Sequence, residues 1–163
     1  MVTSLCSAIL RLDPSSGTLT SNHLTLLALC LQTRRFRDAL PVLEKVIHSF
    51  PANKTTNVIV DGAFLCSPHS DSSHYITEAS GLTAKLNVSD VHEYFLCGAL
   101  IYIGLHEWEN ALLYLECVLT SPTQGTPSGL MLEAYQKWIL VGCLVYGHVS
   151  GQQCQTPCHR LQH

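Results

Sequence analysis

Apolar positions recur every three to four residues in several stretches of the chain, and turn-forming residues bound each stretch. Leu24, Leu27 and Leu31 lie at helical spacing, with Leu26, Leu29 and Cys30 widening the stripe. Polar residues 32–35 make a turn. A second helix then carries Phe36, Ala39, Leu40, Leu43, Val46, Ile47 and Phe50 on its buried side. Pro41 falls within its first turns, where a missing N–H is tolerated, and Pro51 ends it because the residue before a proline avoids the helical region. Residues 21–51 are thus expected to form a helical hairpin.

The same plan returns over residues 90–122. Asp90 and Glu93, three residues apart, form an acidic capping pair. The helix after them is apolar almost all round, through Val91, Tyr94, Phe95, Leu96, Ala99, Leu100, Ile101 and Ile103, so it is expected to be covered on more than one side. A turn at residues 104–106 leads into a helix from Glu107 to Leu119 with Trp108, Ala111, Leu112, Leu115 and Val118 on one face, closed by Pro122. Thr126-Pro127-Ser128 opens a last helix, Gly129 to about Tyr146, with Leu130, Ala134, Trp138, Val141 and Leu144 or Val145 as core candidates. At the N-terminus a shorter helical turn, Leu5 to Leu12, stops at Asp13-Pro14.

Three regions interrupt or flank this rhythm. Residues 1–20 read as a partial helix and linker. Residues 52–89 read as an irregular insertion, in which 58–60 and 63–66, split by Asp61-Gly62, are either two short extended segments or a buried loop. That stretch is long for a connection within a compact domain. Residues 90–147 form the second hairpin plus a further helix, and residues 148–163 turn polar and are expected to be a disordered tail. The last helix exposes Trp138, Val141 and Leu144 if no hairpin partner follows it.

Composition narrows the functions open to such a chain. Its 163 residues suffice for one domain with a core. A 47% hydrophobic content, a mean hydropathy of +0.20 and only 13% charged residues leave apolar faces for protein partners. A net charge of −3, with no extended run of Lys or Arg, argues against nucleic acid and acidic membrane. The apolar runs 95–105 and 138–146 are too short to span a bilayer. The first residues lack the basic segment of a secretory leader. Of eight cysteines, Cys30, Cys97, Cys117 and Cys143 lie inside apolar helical patterns and Cys66 ends an apolar run; they read as small buried hydrophobes in a reduced compartment. The glycosylation sequons at Asn53 and Asn87 carry no weight without secretion.

Candidate chemistry is sparse. His148, Cys154, Cys158, His159 and His163 offer spacings that zinc accepts, but adjacent Cys158 and His159 are awkward ligands and no framework of turns surrounds them. Ser, His and Asp cluster at residues 67–74, a composition common in solvated loops, and a triad there needs a rigid support. A His-Glu-x-x-His signature and a Gly-rich phosphate loop are both absent from the sequence. Trp108, Trp138 and Tyr135 read as core or interface anchors. The expectation is a chain with no catalytic residues, metal or cofactor.

The two hairpins superpose at an offset of 72 residues, from Ala39 to Ala111. Leu26, Cys30, Ala39, Leu43, Val46 and Pro51 then match Gly98, Tyr102, Ala111, Leu115, Val118 and the near-neighbour Pro122. The Ala39-to-Pro51 spacing is that of a tetratricopeptide repeat, and the second unit is one residue short. The expected fold is all-α: degenerate tetratricopeptide-like helical hairpins stacked as a short α-solenoid fragment, with a generic helical bundle as the alternative.

Phe95-Leu96-Cys97, Ile101-Tyr102-x-Gly104-Leu105 and the run from Met131 to Lys137, with Ser21-Asn22-His23 and the helix after it, resemble the subunit 3 family of the COP9 signalosome. The resemblance covers residues 21–50 and 90–147 and is weak over 52–89. It implies a helical-repeat arm followed by a winged-helix module, in a complex that removes a ubiquitin-like modifier from cullins. It also implies other signalosome subunits as partners, isopeptidase chemistry on a different subunit, and a place in cytoplasm and nucleus. Nothing after Gly147 matches the winged-helix module, so the chain is expected to be a fragment or truncated form. The alternatives are a free-standing peptide-binding repeat adaptor, whose groove would need cations that the first helices lack, and a helical-repeat subunit of the proteasome lid or of a translation-initiation complex. A small hydrolase using the 67–74 loop ranks last.

Overall fold

A computed structural model describes residues 1–14, 17–51, 59–60, 63–64, 72–78, 80–122 and 128–147. Its helices are α1 (Val2–Leu12), α2 (Ser21–Thr33), a 3-10 turn (Phe36–Ala39) running into the single-turn α3 (Leu40–Leu43), α4 (Val88–Gly104), α5 (Trp108–Leu119) and α6 (Gly129–Tyr146). A second 3-10 turn covers Ser72–His74, and β1 (Ile59–Val60) pairs antiparallel with β2 (Ala63–Phe64). The extended reading of 58–60 and 63–66 therefore holds for the four described residues. The rest is helical hairpins stacked side by side, as the periodicity predicts.

The core is one continuous apolar cluster running from Val2, Cys6 and Ile9 of α1 to Trp138 and Val141 of α6. α4 lies at its centre, in contact with α2, α5 and α6. This explains its all-round apolar character: Tyr94, Phe95, Leu96, Ala99, Ile101 and Tyr102 are all buried, on more than one side of the helix. Gly98 of α4 permits the closest approach. A Cβ there would sit 2.6 Å from the Tyr114 ring and 3.2 Å from Leu43.

The 72-residue repeat is also visible in the backbone. α2 ends in a left-handed residue, Arg34 (φ 55°), with Arg34 N–H donating to Leu31 O and Arg35 N–H to Cys30 O. α4 ends the same way at His106 (φ 62°), with His106 N–H donating to Ile103 O and Glu107 N–H to Tyr102 O. Both are Schellman turns, and both place a non-glycine residue where glycine is usual. The ring of Phe36 after the first turn lies where a Cβ on Gly104 would be, 2.5 Å away, so the two turns pack against one another.

The structure corrects four expectations. The second helix of the first hairpin does not reach Phe50. Its α-helical part ends at Leu43, and Val46 and Phe50 are 47% and 44% exposed. The segment instead runs extended beside residues 17–19, where His48 N–H and Ser49 N–H donate to Gly17 O, and Leu19 N–H donates to Ser49 O. Thr18 bridges Ser49 in parallel, and its hydroxyl meets those of Ser49 at 2.7 Å and Ser72 at 2.8 Å. Pro41 and Pro51 leave only a short window for regular helix, and tertiary pairing takes the residues beyond it.

Second, α4 starts a turn earlier than the Asp90–Glu93 pair implies. Asn87 is its N-cap, and Asp90 accepts from Asn87 N–H at 2.7 Å in a capping box. Third, Trp138 and Val141 are buried (8% and 3% exposed), while Leu144 is 69% exposed. α6 lays its Met131–Ala134–Trp138–Val141 stripe on α5, and Trp138 Nε1–H donates to Glu116 Oε1 at 3.3 Å. Fourth, the cysteines are not uniform. Cys30 is a buried free thiol and Cys97 a partly buried one, but Cys143 faces outward, and Cys117 is buried yet disulfide-bonded. Hydropathy alone does not report facing or pairing.

Part of the segment between the hairpins is tied to the helices. Tyr75 donates its hydroxyl to Leu12 O at 2.8 Å, Ile76 is buried, and Ser21 N–H donates to Thr83 Oγ1 at 3.1 Å. Residues 82–84 are thus hydrogen-bonded to the start of α2.

Candidate interaction surface

Among the described residues, five of the nine large exposed apolar side chains belong to α6: Leu132, Tyr135, Leu140, Leu144 and Tyr146. Leu132, Leu140 and Leu144 fall on one i+4 ridge, with Tyr135 and exposed Cys143 beside it at i+3 spacing. This ridge is on the side opposite the stripe packed on α5. Ser128 caps the helix through Met131 N–H, and Gly147 (φ 71°) ends it in the left-handed conformation. α6 is therefore a complete helix with one covered and one open apolar face.

At its C-terminal end the open face runs into a groove of about 530 Å³ lined by His106, Glu107, Trp108, Glu109, Asn110, Leu144 and Val145. The His106 and Trp108 rings meet edge to face at 5.2 Å. A second groove, about 340 Å³, follows the equivalent turn of the first hairpin and is lined by Arg34, Arg35, Phe36, Arg37, Asp38 and Leu105. A third, about 320 Å³, holds both repeat-ending prolines, Pro51 and Pro122, with Phe50, Leu86, Val88 and Val91.

Burial favours the neutral forms of two histidines and two thiols. His23 is pushed down to about 4, mainly by burial, with Asp13 pulling the other way. Its Nδ1 accepts from Thr20 N–H at 3.2 Å, and its ring meets Tyr94 edge-on. His92 is lowered by burial, and the Cys30 and Cys97 thiols are pushed up to about 11, again chiefly by burial. Thiols so placed are protonated and poorly nucleophilic near neutrality.

Among the described residues no group of three or more His, Cys, Asp or Glu could hold a metal ion, and no helix is long and apolar enough to cross a membrane. The zinc candidates His148, Cys154, Cys158, His159 and His163 lie outside the described residues. So does most of the 67–74 cluster. Of it, Ser72 is buried against Thr18 and Ser73 is half-buried. Of the three aromatic anchors, Trp138 is a core residue, Trp108 is partly buried at the turn, and Tyr135 lies on the open ridge. The cluster Arg34, Arg35 and Arg37 is split by the hydropathy pattern, which puts 32–35 in a turn and Arg37 in the helix after it. Its signal is three of the chain's nine cations within four residues.

Stacked hairpins with matching turns and an open terminal face define a helical-repeat protein. The family described as COP9 signalosome complex subunit 3, N-terminal helical repeats, matches residues 1–66 and 70–156. The chain belongs to that family. It is 36% identical over 140 residues to COP9 signalosome complex subunit 3 of Emericella nidulans and 39% identical over 143 residues to that of Neurospora crassa. Each comparison covers 86% of this chain and 28% of the relative, so the chain spans under a third of their length. The family match takes in nearly all of the 52–89 segment and continues past Gly147, so likeness to the family extends beyond the motifs recognisable by eye.

Proposed function

We propose that this chain is a non-catalytic scaffold piece of the COP9 signalosome, the complex that removes a ubiquitin-like modifier from cullin-RING ubiquitin ligases. The observation that carries the reading is the open apolar ridge of α6, Leu132, Leu140 and Leu144 with Tyr135, on a family member made of helical repeats. An exposed stripe of this kind on an otherwise packed molecule is a surface for another protein. The neutral state into which burial pushes His23, His92, Cys30 and Cys97 fits a role in holding partners. The same reading puts the chain in cytoplasm and nucleus, which fractionation tests.

Co-purification tests the scaffold role. The tagged chain is expected to capture other signalosome subunits, and Leu140→Glu with Leu144→Glu to lose them. Capture of no signalosome subunit by the folded wild-type chain would refute the reading.

A further inference from the structure

We infer that the edge formed by Arg34, Arg35 and Arg37 is a docking site for an acidic peptide segment of a partner protein, one rich in Asp or Glu around an apolar residue. The three arginines line one groove whose apolar part is Phe36 and Leu105. Arg35 is already committed, its Nε lying 2.6 Å from Asp38 Oδ2. Arg34 and Arg37 are exposed and make no ion pair among the described residues. Two guanidinium groups lining a groove with an apolar part suit carboxylates beside an aliphatic side chain, because each fork donates two parallel hydrogen bonds to a carboxylate.

Charge and backbone geometry support this choice of ligand. The chain as a whole is acidic, with a net charge of −3, so this edge is a local reversal of sign. It covers four residues, far less than the extended basic stripe that tracks a nucleic-acid backbone. Arg34 is held at φ 55°, in a turn whose geometry glycine adopts without strain, and its side chain is exposed there. The site lies on the hairpin-turn edge and not on the first-helix surface that peptide-binding repeats use. It rests on neither the α6 ridge nor the complex the chain enters.

The experiment uses the full chain and fluorescein-labelled peptides of about ten residues, read by anisotropy. A Glu-Glu-Leu repeat peptide is expected to bind, its Gln-Gln-Leu counterpart to bind at least tenfold more weakly, and added salt to weaken the former. Arg34→Glu with Arg37→Glu is expected to lower affinity for the Glu peptide at least tenfold and to create affinity for a Lys-Lys-Leu peptide. Both side chains are exposed, so circular dichroism and the urea midpoint should be unchanged; if this pair does not fold, Arg34→Gln with Arg37→Gln replaces it. Equal binding of the Glu and Gln peptides overturns the proposal, as does binding unaffected by the substitutions. Equally tight binding of oligothymidylate also overturns it, since that describes a general polyanion surface.

Discussion

Tyr114 of α5 donates its hydroxyl proton to the carbonyl of Leu43, the last residue of α3, at 2.7 Å and out of contact with water. The bond joins residues 71 apart and satisfies a carbonyl that the end of a helix leaves without an intrahelical partner. One repeat thereby caps a helix of the other.

Removing that hydroxyl leaves the Leu43 carbonyl buried. Tyr114→Phe is expected to lower stability by about 1–3 kcal/mol, the cost of an unsatisfied buried group. Urea unfolding followed by circular dichroism measures it. A change below about 0.3 kcal/mol, far less than a lost buried hydrogen bond costs, shows that the bond contributes nothing.

Gly98 sits under the Tyr114 ring. Ala is the better helix former by about 1 kcal/mol, so an open site would be stabilised by Gly98→Ala. Here the new methyl would lie 2.6 Å from the ring, and a net loss of about 1–3 kcal/mol is expected from overpacking. In a Tyr114→Ala background the same change is expected to cost much less. A double-mutant cycle with no coupling between the two positions contradicts the contact.

His23 makes stability depend on acidity. Its folded pKa is about 4 against an ordinary 6.5, so the unfolded chain takes up a proton that the folded one refuses. The contribution is complete above about pH 6.5 and is lost as pH falls toward 4, amounting to about 3 kcal/mol across that window. His23→Gln retains an acceptor for Thr20 N–H, as in the Thr-x-x-Gln capping box, and does not titrate. The variant is expected to lose the acid-side slope that the wild type shows. Because His92 and Glu116 titrate in both proteins, the difference between the two pH–stability curves isolates His23.

The two faces of α6 are expected to respond in opposite ways. Trp138→Ala should cost about 3–5 kcal/mol, since a large buried side chain and its bond to Glu116 are lost together. Leu140→Glu with Leu144→Glu should change stability by less than about 1 kcal/mol and reduce binding of a hydrophobic dye. Strong destabilisation by the second pair would mean that the ridge is already covered.

Much of this was legible in the residues. The spans of α2, α5 and α6 follow from 3.6-residue periodicity and their bounding turns. The 72-residue offset seen from Ala39 to Ala111 reappears in the turns at Arg34 and His106. The apolar encirclement of α4 announced a central helix. The residues after Leu43 misled because their pattern fits a helix, and only pairing with Gly17 and Leu19 draws them out of it. The Asn87 cap was missed because Asp90 and Glu93 also make a plausible start. The basic edge was missed because hydropathy assigns 32–35 to a turn and Arg37 to the helix after it, whereas the fold sets all three arginines on one groove with Leu105 of the next repeat.

Periodicity and turn residues by themselves determined the helical-repeat class and the register of the two units, while the family rested on the resemblance of a few motifs. These are local properties, set by hydrophobic spacing and backbone preference within about twenty residues. Tertiary structure alone decided which face of α6 is covered, where α3 stops, and that Tyr114 caps Leu43. Each depends on a partner far along the chain, and in an apolar helix the residue types on the covered and open faces are the same.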